Sequence, residues 1–511
     1  ECGVRAAEKQ GHTKPLRRTH RNIRPQGAGG LQQLQGQKIR GDRGQAPSTS
    51  FTEALLMGLE PDGGLAVPTS IPTISAARLE EWRSLDYTAL ATAVIGLFAT
   101  DIPEADLRRI VSAAYGPDRF PAPVVPLKSL DAVAPGLALV GLSEGPTMAF
   151  KDLAMQFLGQ AIPYVLARDG KVLNILGATS GDTGSAAEHA FRGQKGVSVF
   201  MLSPAGRMSD VQRAQMYSLA DPNIHNIAVD GVFDDCQALV KALNNDAAFK
   251  AEHNLGAVNS INIGRIVAQA VYYVWAWLRA SDGVTPQERG AFHVDVAVPS
   301  GNFGNIYAGH LTRSMGLPVR RLILATNENN VLDEFFTSGI YRPRSSAETL
   351  ATSSPSMDIS RASNVERFMW QLLGPEEFVA RWASLETTGA LDLTDHLEAM
   401  RAEFGFVSGT STHADRLAAI NRVQSEAGAL IDPHTADGVT VALRHMEPGF
   451  PTLVMETALA AKFAETVEEA LGEAPQPPAS VRELLAKEQH VVEIPNSEDE
   501  LRALIARSAV R

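Results

Sequence analysis

The apolar positions of this chain change period along its length, and the change divides it into regions. Ser50 followed by Glu53 reads as a capping box opening a short helix over 51–57, and Asp62-Gly63-Gly64 reads as a turn. From 73 to 113 the spacing of Trp82, Leu85, Tyr87, Leu90 and Val94 is mostly helical. The run Pro121-Ala-Pro-Val-Val-Pro126 marks a domain boundary. After it, short apolar runs (171–176, 196–202, 294–298, 321–325) alternate with helical stretches (183–191 and about 304–315). That rhythm predicts an α/β fold, a mostly parallel twisted sheet with helices on both faces. The apolar segment 266–278, broken by Gln269 and flanked by Arg265 and Arg279, reads as a buried core helix and not a membrane span. The Ala/Glu-rich stretch after Lys462 reads as helices interrupted at 475–478, and no internal repeat is visible.

Composition narrows the class. The 511 residues exceed one ordinary core and are 44% hydrophobic and 20% charged, as expected of a folded chain with more than one domain. Charge is unevenly placed. Residues 1–40 hold nine Lys/Arg against two acids, so with −12 overall the remainder carries −19. An acidic body argues against a nucleic-acid surface. Residues 1–40 are expected to be a disordered or non-native basic tail. Two cysteines, Cys2 and Cys236, exclude a disulfide framework and a cysteine zinc site. The expectation is a cytoplasmic protein without metal, membrane or nucleic-acid partners.

Three segments carry candidate chemistry. Pro299-Ser-Gly-Asn-Phe-Gly-Asn305 follows a strand and opens a helix. Its glycines and first-turn N–H groups can cradle a phosphate, or the loop can be a plain turn. It lacks the lysine of a P-loop. Gly177-Ala-Thr-Ser-Gly-Asp-Thr-Gly184 sits in the same context. Thr179, Ser180 and Thr183 offer hydroxyls to a carboxylate or second phosphate, while Asp182 is either a helix N-cap or a partner for a polar ligand group. Lys151 lies among Met148, Ala149, Phe150, Leu153 and Ala154 at the start of a helix over 151–159. Burial and the helix's positive end both disfavour its charge, as a Schiff-base lysine needs. The alternative is a lysine snorkelling from an amphipathic helix. A depressed lysine beside a phosphate cradle suggests a phosphorylated aldehyde cofactor held as an imine.

The segments GLSEGPTMAFKDLAMQFLG (141–159), GATSGDTGSAA (177–187), VPSGNFGN (298–305) and METALAAKF (455–463) resemble the threonine synthase family, in its bacterial and fungal long-chain form. RGQAPSTSFTEALLMGLEPDGGLAVP (43–68) and FDDCQALVKAL (233–243) are also similar, and the resemblance spans roughly 38–511. It implies a tryptophan-synthase-β-like, pyridoxal-5'-phosphate-dependent fold with an N-terminal domain over 41–125. The catalytic region would run over 126–511, with a small mobile subdomain approximately within 141–290. Carried over by motif, Lys151 is the cofactor's imine lysine, and Gly301, Asn302, Phe303 and Asn305 surround its phosphate. Thr457 lies beside the pyridine nitrogen. Asp182 stands where related enzymes have Asn near the phenolic oxygen.

The implied reaction is a carbon–oxygen lyase reaction on a phosphate, in which O-phospho-L-homoserine and water give L-threonine and phosphate. A monomer or homodimer is expected. For substrate, the 177–184 loop (Thr179, Ser180, Thr183) is the candidate anion site. Arg265 is either a charge partner for an oxyanion or a salt-bridged arginine. Gln212, Arg213 and Gln215 are weaker candidates, and His434 receives no role. Competing readings are a phospho-lyase of the same family releasing 2-oxobutyrate, another replacement enzyme of the fold, and a non-catalytic scaffold.

Overall fold

A computed structural model describes residues 38–44, 47–60 and 63–511. The basic residues 1–37 and Asp62 lie outside the described residues. The described residues make one compact unit.

Two sheets organise it. One has six strands, in the order Phe406–Thr410, Val319–Thr326, Val294–Pro299, Thr452–Glu456, Leu137–Gly141 and Leu127–Ser129. All its neighbours are parallel except the final Leu127–Ser129 edge. The other has five parallel strands, in the order Val492–Pro495, Ile224–Asp230, Val197–Pro204, Leu173–Ala178 and Leu255–Gly256. The strands Val294–Pro299, Val197–Pro204 and Thr452–Glu456 are buried at every position. Burial on both faces gives unbroken apolar runs in place of alternation, as helix-covered parallel sheets require.

The helix Ile263–Ala280 is buried from Ile263 through Leu278, so the apolar stretch seen in the sequence is core. Among the described residues no helix is long and apolar enough to cross a membrane. The helix Lys151–Asp169 is longer than its 151–159 pattern, continuing through Pro163 to a left-handed Gly170 cap. It crosses the helix Asp182–Phe191 closely, because a Cβ on Gly159 would stand 2.2 Å from the Ala190 carbonyl oxygen. Only glycine permits that approach, and the crossing brings the starts of the two helices together.

The stretch predicted helical over 73–113 forms the helices Ala76–Trp82, Tyr87–Gly96 and Glu104–Tyr115. The capping box at Ser50 and Glu53 is present on the helix Phe51–Met57. The Pro-rich run does not separate two cores, since residues on both sides of it pack into the same main apolar core. The polar ties across it are specific. Tyr115 Oη donates to the Leu153 carbonyl at 2.7 Å, and Asn262 Nδ2 donates to the Leu55 carbonyl at 2.9 Å. The fully buried Arg367 reaches the Ala66 carbonyl at 2.9 Å.

The chain after Lys462 holds more than helices. The segment Val492–Pro495 adds an edge strand to the five-stranded sheet, its Val492 opposite Ile227. Glu498–Ser508 is a helix packed on Phe233–Asn245. Beyond it the Val510 main chain closes a pair with the Asn174 side chain, N–H to Oδ1 at 2.9 Å and Nδ2 to O at 3.0 Å. The C-terminal segment thus grips this sheet at two places.

Candidate active site

Lys151 is the first residue of its helix, preceded by Phe150 as an N-cap without a side-chain cap bond. Asp152 shapes the approach by accepting from both the Thr147 N–H (2.7 Å) and the Thr147 hydroxyl (2.6 Å). Met148 is forced to φ 55°, a left-handed conformation costly for a long side chain. The chain from Met455 to Leu459 lies alongside. Phe150 N–H donates to the Thr457 carbonyl at 2.8 Å, and Leu459 N–H to the Met148 carbonyl at 3.0 Å. Thr457 is therefore held beside the start of the lysine helix. The Thr457 hydroxyl is buried and has no partner among the described residues.

The Lys151 side chain is 12% exposed and does not snorkel. Its Nζ lies 3.5 Å from Asp182 Oδ2 and over the Phe150 ring at 5.4 Å. Burial is the main force lowering its pKa. Asp182 works against that shift, and the cations Lys462 and Arg265 add to it. The amine is thus driven toward the neutral, nucleophilic form.

Asp182 does not cap the following helix. Gly181 at φ 139° occupies the cap position, and Asp182 is the first helical residue, with its carboxylate turned inward. Oδ1 accepts from Lys462 Nζ at 2.6 Å and Gln212 Nε2 at 3.1 Å. Oδ2 accepts from the Ser356 hydroxyl at 3.2 Å and faces Lys151. Burial alone would raise this carboxyl's pKa. The adjoining Lys462 and Lys151 ammonium groups and the hydrogen bonds overcome it and hold the group well below the carboxylate range. Lys462, wholly buried, also donates to the Thr147 carbonyl at 2.9 Å. Sequence reasoning missed Lys462, although it lies inside the METALAAKF segment.

In the 177–184 loop Thr179 is structural. Its hydroxyl oxygen accepts the N–H groups of Gly181 and Gly184, both at 2.9 Å. Ser180 is exposed and Thr183 half-buried. The N–H groups of Ser180, Asp182 and Thr183 have no acceptor among the described residues. Of the weaker candidates, Gln212 binds Asp182, Gln215 Nε2 donates to the Thr147 carbonyl at 2.9 Å, and Arg213 pairs outward with Asp210.

The 299–305 loop ends the strand Val294–Pro299 and opens the helix Gly304–Ser314. Phe303 sits at φ 62°, its ring buried against Phe336, Phe368 and Phe406. Asn305 Oδ1 accepts from the Tyr272 hydroxyl at 2.7 Å and the Tyr273 hydroxyl at 2.9 Å. Asn302 donates to the Ser260 hydroxyl and accepts from the Ser363 N–H at 2.6 Å. A Cβ on Gly301 would come within 3.0 Å of Met357 Cα. The Phe303 ring, the Asn302 amide and the Asn305 carbonyl oxygen are therefore committed to packing, while the buried Asn305 Nδ2 has no partner among the described residues. The main-chain N–H groups from Gly301 to Ile306 have no acceptor among the described residues, the arrangement an anion receptor needs.

Arg265 lies in the first turn of the Ile263–Ala280 helix. It is 4% exposed, with Nη1 lacking a partner, and no ion pair is made to it among the described residues. Burial pushes its pKa down to about 10. His434 has a place after all. Its Nδ1 faces Asp432 Oδ2 at 2.6 Å and its Nε2 accepts the Ser356 N–H at 3.0 Å, which fixes the serine that reaches Asp182.

The geometry can be set beside known proteins. Residues 40–115 match the family model described as threonine synthase N terminus, and 435–505 match threonine synthase, C-terminal. The chain is 52% identical over 451 residues to the threonine synthase of Methylobacillus glycogenes, covering 86% of this chain and 94% of that one. It is 51% identical over 465 residues to that of Corynebacterium glutamicum, covering 89% and 95%. A crystal structure of pyridoxal-phosphate-bound threonine synthase from Brucella melitensis superposes with a TM-score of 0.88 at 38% identity, covering 93% of this chain and all (100%) of that one. The two helix-covered sheets with a buried lysine between N–H-lined loops are thus the tryptophan-synthase-β-like fold of pyridoxal-phosphate-dependent enzymes. Within that class, the chain belongs to the threonine synthase family.

Proposed function

We propose that this chain catalyses the conversion of O-phospho-L-homoserine and water to L-threonine and phosphate, with pyridoxal 5'-phosphate held at Lys151. The observation that carries the reading is the Lys151 amine, buried, lowered in pKa and 3.5 Å from the ionised Asp182. The residues fit the cofactor. The unclaimed N–H groups of 301–306 suit its phosphate, with Gly301, Asn302, Phe303 and Asn305 shaping that loop. The partnerless Thr457 hydroxyl suits the ring nitrogen, and Asp182 the phenolic edge. When bound, the cofactor supplies an electron sink for removing the proton at Cα.

A neutral hydroxyl at Thr457 can hydrogen-bond the ring nitrogen but cannot pair with a cation there, which suits elimination and water addition. Lys151, once its amine is released by substrate, is the base that moves the proton at Cα and then at Cβ. Substrate anions meet a site that supports them. Arg265 offers a desolvated guanidinium, and the N–H groups of Ser180, Asp182 and Thr183 line the other wall, with the Ser180 and Thr183 hydroxyls at hand. Thr179 acts by holding that wall in shape. We read 41–125 as an N-terminal domain docked on a catalytic region over 126–511.

Turnover of O-phosphohomoserine with simultaneous detection of threonine, 2-oxobutyrate and phosphate tests the proposal. Threonine and phosphate in equal amounts support it. Phosphate with 2-oxobutyrate and no threonine makes the chain a phospho-lyase instead.

A further inference from the structure

Lys462 lies in this neighbourhood, and the proposed reaction assigns it no step. Its ammonium is wholly buried in the short turn Ala460–Phe463, shortly past the strand Thr452–Glu456 of the six-stranded sheet by way of Thr457. Burying a lysine is costly unless a counter-charge and acceptors are supplied, and here both are. Asp182 Oδ1 lies at 2.6 Å and the Thr147 carbonyl at 2.9 Å. The carboxylate is thereby divided. Oδ1 is taken by Lys462 and Gln212, and Oδ2 is left to Ser356 and Lys151.

We infer that Lys462 is a positioning residue that clamps Asp182 through one oxygen and leaves the other aimed at the Lys151 nitrogen, and that its charge sets the protonation balance of that nitrogen. The inference rests on Lys151 being the cofactor lysine. The groups that act electrostatically on this cluster come from several elements. Arg265 stands on the helix Ile263–Ala280 and Lys462 on the turn after Thr457, and both oppose a charge on Lys151, which Asp182 favours. Asp152, on the lysine's own helix, is pushed up to about 6 by burial, against the hydrogen bonds from Thr147 and the charge of Lys462. His189, on the Asp182 helix, is pushed down to about 4, mainly by burial with a contribution from Lys462. Removing Lys462 deletes a repelling cation and leaves the Asp182 charge uncompensated. Both changes favour a proton on the Lys151 nitrogen.

The test is a pH titration of the visible band of the cofactor-loaded protein. Lys462→Met is expected to move the titration midpoint upward by about one pH unit or more, with Lys462→Gln as the substitute if Met prevents folding. Lys462→Arg, which keeps the charge, is expected to stay within a few tenths of a unit of the parent. A midpoint unchanged or lowered in the neutral variant overturns the inference, even if turnover or melting temperature falls, since a merely structural lysine would change only those. Lys151→Ala separates this from the reading beneath it. If the borohydride-sensitive band survives that change, the assignment of Lys151 fails. If the band is lost while the Lys462 variants titrate like the parent, only the role of Lys462 fails.

Discussion

The two glycine loops look alike as sequence and behave differently as structure. Each follows a parallel strand and opens a helix. In 299–305 the side chains are mostly held by packing. Phe303 is sunk in an aromatic cluster, Asn305 is gripped by two tyrosines, and Asn302 is tied to Ser260 and Ser363. What this loop chiefly offers a ligand is its row of main-chain N–H groups. In 177–184 one side chain, Thr179, stitches the loop, and another, Asp182, enters the centre of the site. A phosphate is well served by a rigid row of N–H groups, whereas a lysine that must gain and lose a proton needs a charge beside it. The same local motif has been put to a passive use on one sheet and an active one on the other.

The contrast can be broken experimentally, beginning with the largest effect. Asp182→Ala should abolish the support of Lys151 and leave Lys462 buried without a counter-ion, costing about 3–5 kcal/mol in urea unfolding together with activity. A stable, active variant would show that the second loop is as passive as the first. Gly301→Val should push the Met357 segment off the first loop and weaken cofactor binding by about a hundredfold, read from titration of the cofactor into apoprotein. Unaltered affinity would mean that the 301–306 N–H row is not the phosphate receptor. Thr179→Val removes the acceptor of two N–H groups and should cost about 1–3 kcal/mol, raising KM through a loosened wall.

The smallest effect concerns the packing behind the first loop. His310, buried among Phe368, Phe404 and Phe406, is pushed down to about 3 by desolvation from a usual 6.5. The unfolded chain therefore takes up a proton that the folded chain refuses, and this contribution erodes stability as pH falls from 6.5 toward 3. Urea midpoints at about pH 8 and about pH 5 should differ less for His310→Phe than for the parent. An equal loss would show that His310 takes up its proton without opening the cluster.

Much of this was legible in the chain. Period and turn residues foretold the alternating strands and helices because sheets buried on both faces leave apolar runs that local reading detects. The two loops and Lys151 were visible because glycine, hydroxyl and lysine stand where apolar neighbours make them conspicuous. Lys462 was not, since what gives it meaning is an aspartate far away in sequence, and spacing carries no trace of that pairing. Arg265 was readable as an alternative between salt bridge and oxyanion partner, and only burial without a carboxylate favours the second. Asp182 was readable as either an N-cap or a partner for a ligand, and only the structure decides, since Gly181 takes the cap and the carboxylate turns inward. The edge strand Val492–Pro495 escaped because four residues, two of them glutamate and proline, give too short a pattern to distinguish from the helices around it.

That edge strand bears on how the molecule assembles. Its pairing of Val492 with Ile227 joins residues 265 apart in the chain, and parallel pairing over such a span is slow because the chain entropy is lost before the contacts are gained. During synthesis the strand Ile224–Asp230 emerges long before its neighbour exists, leaving a row of unpaired N–H and C=O groups open to other chains. The sheet that carries the Asp182 loop is thus finished only after nearly the whole polypeptide is available, and the period before that is when this protein is most exposed to aggregation.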